Sequence, residues 1–198
     1  MESPCLDLLN SEWHDYRGSG RSEDRLRQPA WLKDFVGRWG FGAAGRPGPD
    51  DIEALANLRA LIRRMVDRLS HGRAPADRDL AALDRVLARG PEVVRLTKDA
   101  DGYHQGSVPL RQDWDWVLAR IAASFADLLT HGEPERVKVC ENPDCGWVFY
   151  DESKNRTRRW CEDVCGNLMK VRRFRERRKA APSPPPAGAP DEPGGGTA

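Results

Sequence analysis

The feature that most constrains this chain is a set of four cysteines, Cys140, Cys145, Cys161 and Cys165, gathered within 26 residues. They form two close pairs, Cys-x4-Cys and Cys-x3-Cys, and upstream of them the chain has only Cys5. Zinc takes four soft or borderline ligands in a tetrahedron, and two close pairs of thiolates supply that. Between the first two cysteines stand the turn formers Asn142, Pro143 and Asp144, with Gly146 just after. They predict a tight knuckle whose backbone amides point at sulfur. A helix over 161–179 would place Cys161 and Cys165 on one face of its first turn, where its positive end favours thiolate. Knuckle, hairpin and ligand-bearing helix together predict a treble-clef-like zinc finger. All four positions are filled by protein, so the expected site is closed and structural. Four buried free cysteines, and a redox pair or iron–sulfur cluster, are the alternatives; the clustering in two close pairs weakens the first, and the absence of Cys-x-x-Cys weakens the redox reading. Removing zinc is expected to unfold 136–179 and leave the remainder intact.

Charge separates the same segment from the rest. The whole chain carries 32 Lys/Arg against 31 Asp/Glu. Residues 136–179, however, hold thirteen cations and seven anions, so the remainder is net acidic. From 166 to 179 there are seven cations and one anion. A basic appendage on a neutral or acidic body is a pattern for binding polyanions. Val164, Leu168, Val171 and Phe174 or Arg175 form an apolar stripe predicted to pack on the zinc hairpin. Lys170, Arg173 and Arg177 would then share the exposed face, flanked by Arg172 and Arg175. The other reading of such a charge run is a solvated helix surface.

Upstream, hydrophobic periodicity predicts helices over about 29–39, 50–71, 75–89 and 113–131, with a strand at 93–97 and a turn at Asp101-Gly102. Asp50 and Glu53 are the expected capping box of the second helix. Trp114 reads as core, and Trp116 as exposed or part of an interface. The run Cys5 to Leu9 is too short to type. The expected fold is mainly α: a helical N-terminal domain with a small β-hairpin over 1–134, a zinc finger over 135–180, and a Pro/Gly/Ala-rich tail over 181–198 expected to be disordered. No apolar run is long enough to span a membrane, and no secretory signal is visible, so a cytoplasmic protein is expected. The four histidines have no ligand spacing, and no nucleophile elbow or phosphate loop is present, so no enzyme is expected. Asp7, Asn10 and His14 are candidates to line a small-molecule pocket.

The string Cys-x4-Cys, Phe149-Tyr150-Asp151, Ser153-Lys154-Asn155-Arg156, Arg158-Arg159-Trp160-Cys161, Cys165-Gly166-Asn167 resembles the CGNR zinc finger family. Leu6-Asp7-Leu8-Leu9-Asn10-Ser11 is similar to the start of the helical ABATE domain that usually precedes this finger. The resemblance implies a bacterial, stress-linked transcription regulator that binds duplex DNA. The implied contacts are Lys154, Asn155, Arg156, Arg158, Arg159, Asn167, Lys170, Arg172, Arg173, Arg175 and Arg177, with the helical domain as sensor or dimerisation module. Asn167 is open to either of two roles, local capping or a base contact. The fourth letter of the family motif is Arg, and this chain has Leu168 there. An adaptor for an acidic protein and a metabolite-binding helical domain are the competing readings.

Overall fold

The computed structural model describes residues 2–180; the expected tail lies outside the described residues. Among them six helices and three two-stranded antiparallel sheets follow in order. The untyped run at the start is helix α1, Pro4–Leu9, opened by Pro4 in its first turn and capped by the Ser3 hydroxyl. Cys5, Leu6, Leu8 and Leu9 are all buried, because α1 packs between two long helices, α3 (Pro49–Ser70) and α5 (Trp114–Thr130). Contacts on several sides let so short a helix bury four of its six residues. A small hairpin follows, β1 (Glu12–His14) with β2 (Ser22–Asp24). Arg59 of α3 ties it down by donating to Ser11 Oγ at 2.8 Å and Asp24 Oδ1 at 2.7 Å.

Helix α2, Pro29–Arg38, begins at the predicted proline. It buries Leu32 and Phe35 and starts a chain of rings: Trp31 stacks on Phe35, Phe35 meets Phe41, and Trp116 meets Phe41 edge-on. Trp116 is therefore core. The expected surface position fails because Phe41, in the loop after α2, supplies a buried ring for it to pack against. Helix α3 starts at Pro49, with Gly48 rather than Asp50 at the cap position, two residues earlier than expected. Its cap is the carboxylate of Asp51, which accepts the Gly48 N–H at 2.7 Å, rather than the pair Asp50 and Glu53. Helix α4 runs from Asp77 to Leu87, so Pro75 lies two residues ahead of it. The predicted hairpin is longer than its apolar core suggests: β3 (Glu92–Asp99) pairs with β4 (Gly102–Pro109) throughout.

The last elements are β5 (Val137–Val139), β6 (Val148–Tyr150) and α6 (Asp163–Ala180). Val137 and Val148 are buried in the same apolar core as Leu8, Ile62 and Phe125. The finger hairpin is thus built into the helical body, lying on α3 and touching α1. Among the described residues no helix is long and apolar enough to cross a membrane.

Candidate metal centre and basic face

The four predicted ligands converge. Their sulfurs all lie within 4.8 Å of one another, with Cys145–Cys161 at 3.7 Å and Cys161–Cys165 at 3.8 Å. Thiolates about 2.3 Å from a tetrahedral ion sit about 3.8 Å apart, so the spacing fits such an ion. The knuckle forms as expected, with the amides of Asn142 and Trp147 reaching the sulfurs of Cys140 and Cys145. Hydrogen bonds among the thiols pull Cys140 down to about 2 and push Cys145 up to about 12, with Cys161 raised further by the same neighbours. Ionising one sulfur opposes ionising the next, and a bound cation removes that opposition. One detail differs from expectation. Cys161 lies two residues ahead of α6, and only Cys165 falls in its first turn.

Two buried polar residues around this centre carry structural roles that spacing did not reveal. Asn142 has no exposed surface; its amide donates to Tyr16 O at 2.8 Å and points at Cys165 Sγ at 3.5 Å. Asp151, also with no exposed surface, organises the loop before Cys161. Its carboxylate accepts from Lys138 Nζ at 2.6 Å, Arg158 N at 3.0 Å and Ser153 N at 3.0 Å. Burial opposes its charge, but these bonds prevail and hold its pKa well below the usual carboxylate range. A depressed folded pKa means the stabilisation is complete above the unfolded value of about 3.9 and is lost as pH falls through the folded one. Wild type should therefore lose melting temperature more steeply than Asp151→Asn below about pH 4, as followed by circular dichroism. Equal slopes would remove Asp151 from this role.

The structure sorts the predicted basic contacts into two groups. Arg156, with the left-handed φ of 54°, pairs with Glu133 and Glu135. Arg159 pairs with Glu141, and Arg158 donates to Trp160 O while covering the Phe149 ring. Arg172 turns inward, donating to Asp144 Oδ2 at 2.6 Å and to Arg17 O at 2.9 Å. Gly18 makes room for it: a Cβ there would lie 2.9 Å from both the Arg172 guanidinium and the Asp144 carboxylate. The second group comprises Lys154, Asn155, Asn167, Lys170, Arg173, Arg175 and Arg177. All are exposed or nearly so, and none has an ion pair among the described residues. Arg173 rests over the Trp160 ring.

The apolar stripe of α6 does not face where its sequence pattern pointed. Cys165, Gly166, Leu168, Met169 and Arg172 face the protein, whereas Val164, Val171 and Phe174 are exposed. Cys165, whose sulfur converges with the other three, fixes the rotation of the helix, and the apolar residues of α6 are too dispersed to override it. Leu168, at the position of the motif arginine, is half-buried on the inward side. Gly166 keeps the helix close to Trp160, since a Cβ would stand 3.3 Å from that ring.

The proposed ligand residues separate. Asp7 and Asn10 line a cleft of about 340 Å³ with Arg38, Trp39, Tyr150 and Arg158, and His14 lies outside it. Asp7 accepts from Arg38 at 2.8 Å and Trp39 Nε1 at 2.9 Å. The Asn10 side chain pairs with both main-chain groups of Val148, at 2.9 Å and 2.8 Å. It therefore completes the free edge of β6 as a neighbouring strand would. Asn10→Ala leaves a buried N–H and C=O unpaired, at about 1–3 kcal/mol each. The expected loss is about 2–4 kcal/mol in urea unfolding; a loss under about 0.5 kcal/mol, the ordinary range for surface changes, would show that water replaces both bonds.

A family model described as "Putative stress-induced transcription regulator", ABATE, matches residues 2–132. The chain belongs to the ABATE family. A second model, the CGNR zinc finger, matches residues 136–178, which contain all four cysteines. No match was found among curated proteins. The ABATE domain and the CGNR finger meet at Asn10, Tyr16 and Arg17, which bond to Val148, Asn142 and Arg172.

Proposed function

We propose that this ABATE-family protein is a transcription regulator whose CGNR finger holds zinc and binds duplex DNA through the outer face of α6. The observation that carries this reading is the row of cations left over once internal ion pairs are assigned. Lys170, Arg173 and Arg177 stand beside exposed Val171 and Phe174, with Arg175 and Asn167 flanking. Cations of this kind suit phosphates, whereas Asn and apolar side chains suit base edges and thymine methyls in a major groove. Zinc is the ion that best matches four thiolates in a closed tetrahedral site, and there it supplies a structural cross-link. The ion pairs of Arg156 and Arg159 are exposed and contribute little to stability, so phosphates can compete for those cations. Arg172 serves to orient the helix.

Binding of the metal-loaded protein to random duplex DNA, titrated from 50 to 300 mM salt, tests the reading. A linear fall of log affinity with log salt supports it, with a slope of about −0.9 per phosphate contacted. Absence of binding at 50 mM salt, together with binding to an acidic polypeptide, would favour a protein adaptor instead.

A further inference from the structure

The hairpin β3–β4 is the least explained part of the molecule. Two eight-residue strands pair only with each other, and neither packs extensively on another element. An isolated two-stranded ribbon is marginal in water, and its outer edges carry unpaired backbone groups. The register fixes what each face carries. One face holds Glu92, Val94, Leu96 and Lys98 of β3, opposite Pro109, Ser107, Gln105 and Tyr103 of β4. Lys98 lies over the Tyr103 ring, as side chains on one face do. Val94, Leu96 and Tyr103 are 67%, 73% and 72% exposed, so the apolar side of the ribbon is turned to solvent. The other face is different. Its apolar pair, Val93 and Val108, sits at the base, and the rest is Arg95, Thr97, Asp99, His104 and two glycines.

We infer that this face is a homodimer interface, occupied by the same face of a second copy, with the two β3 strands antiparallel across a two-fold axis perpendicular to them. Two properties select a second copy as the occupant. The hairpin holds two cations and three acids between residues 92 and 109, so it has no charge preference for a polyanion. On the apolar face, Glu92, which also reaches Arg120 of α5 in its own chain at 3.7 Å, and Lys98 bracket Val94 and Leu96 with opposite charges. Antiparallel packing sets each Glu92 beside the partner's Lys98 and gathers the aliphatic side chains of both copies at the centre. A parallel arrangement would instead place like charges together, which is destabilising. An isologous contact of this kind is self-complementary by construction. The ribbon is small, so the contact belongs to the weak end of specific interfaces, with dissociation in the micromolar range. It deepens the nucleic-acid reading by giving a single finger a second half-site reader, yet it does not depend on DNA.

The test is the mass of the metal-loaded full chain by sedimentation equilibrium from 5 to 100 µM. Wild type should approach twice the 22.3 kDa of one chain. Leu96→Lys, at a solvent-facing position, should be monomeric with an unchanged melting curve. Glu92→Lys and Lys98→Glu should each weaken association at least about tenfold, equivalent to 1.4 kcal/mol, and the double exchange should restore it. A monomeric wild type at 100 µM overturns the inference, as does a dimer indifferent to Leu96→Lys. Failure of the double exchange to restore association overturns the antiparallel arrangement. Because the readout contains no nucleic acid, it can fail while DNA binding stands, and the reverse.

Discussion

Stripping the metal with a chelator should destabilise the whole chain as one unit, rather than the finger alone. Val137 and Val148 of the finger hairpin lie in the main core, and α3 packs directly on β5. Arg63 of α3 also donates to Gly146 O at 2.9 Å, so the long helix holds the knuckle loop in place. A thiolate zinc site contributes about 10–16 kcal/mol to the segment it organises. Whole domains are stable by only about 5–15 kcal/mol. Losing the first term therefore removes a support of the same size as the total. Melting followed by far-ultraviolet dichroism and tryptophan fluorescence should show one coincident transition. It should fall by at least about 10 °C on chelation, since 1 kcal/mol moves a domain of this size by about 2–4 °C. Cys161→Ser should behave in the same way. Two separated transitions, with the helical one unmoved, would sink this expectation and restore an independent finger.

The second large effect separates arginines that look alike in sequence. Replacing Lys170, Arg173 and Arg177 together by Ala should lower affinity for random duplex by about a hundredfold at 0.1 M salt. The salt slope should become shallower by about 2–3. Stability should change little, because these side chains are exposed and none has an ion pair among the described residues. Arg172→Ala should do the opposite. It leaves Asp144 without its partner and frees the Arg17 carbonyl, costing about 1–3 kcal/mol of stability. Its salt slope should match wild type under conditions where the variant is folded. Filter-binding titrations paired with urea unfolding measure both quantities on the same preparations. A slope change in Arg172→Ala equal to that of the triple variant would show that the inward pair opens on DNA.

Much of the metal site was legible because its chemistry is local. Four cysteines in two close pairs, with turn formers inside the first, leave few alternatives to a four-thiolate site. The helices over 29–38, 49–70 and 114–130 were equally readable, since burial along one face imposes a 3.6-residue period on sequence. The start of the chain was not. Helix α1 is buried on several sides and therefore lacks the period that would have identified it. Asn10 and Asn142 were hidden for a related reason: their partners are 138 and 126 residues away. An asparagine that completes a strand edge looks in sequence like any turn residue.

The four cysteines by themselves pointed to a metal site, to the residues that would form it, and to a cation-rich helix after it. Only the tertiary structure decided how that helix is rotated and what it is attached to. The rotation follows from Cys165, whose bond direction toward the common centre outweighs a few scattered apolar side chains. The attachment follows from packing, since two valines of the finger complete a core that the helices leave open. Arg172 consequently faces Asp144 inside, and Val171 and Phe174 face outward among the cations. A sequence fixes spacing along one chain, whereas the direction of a side chain depends on what the rest of the chain places beside it.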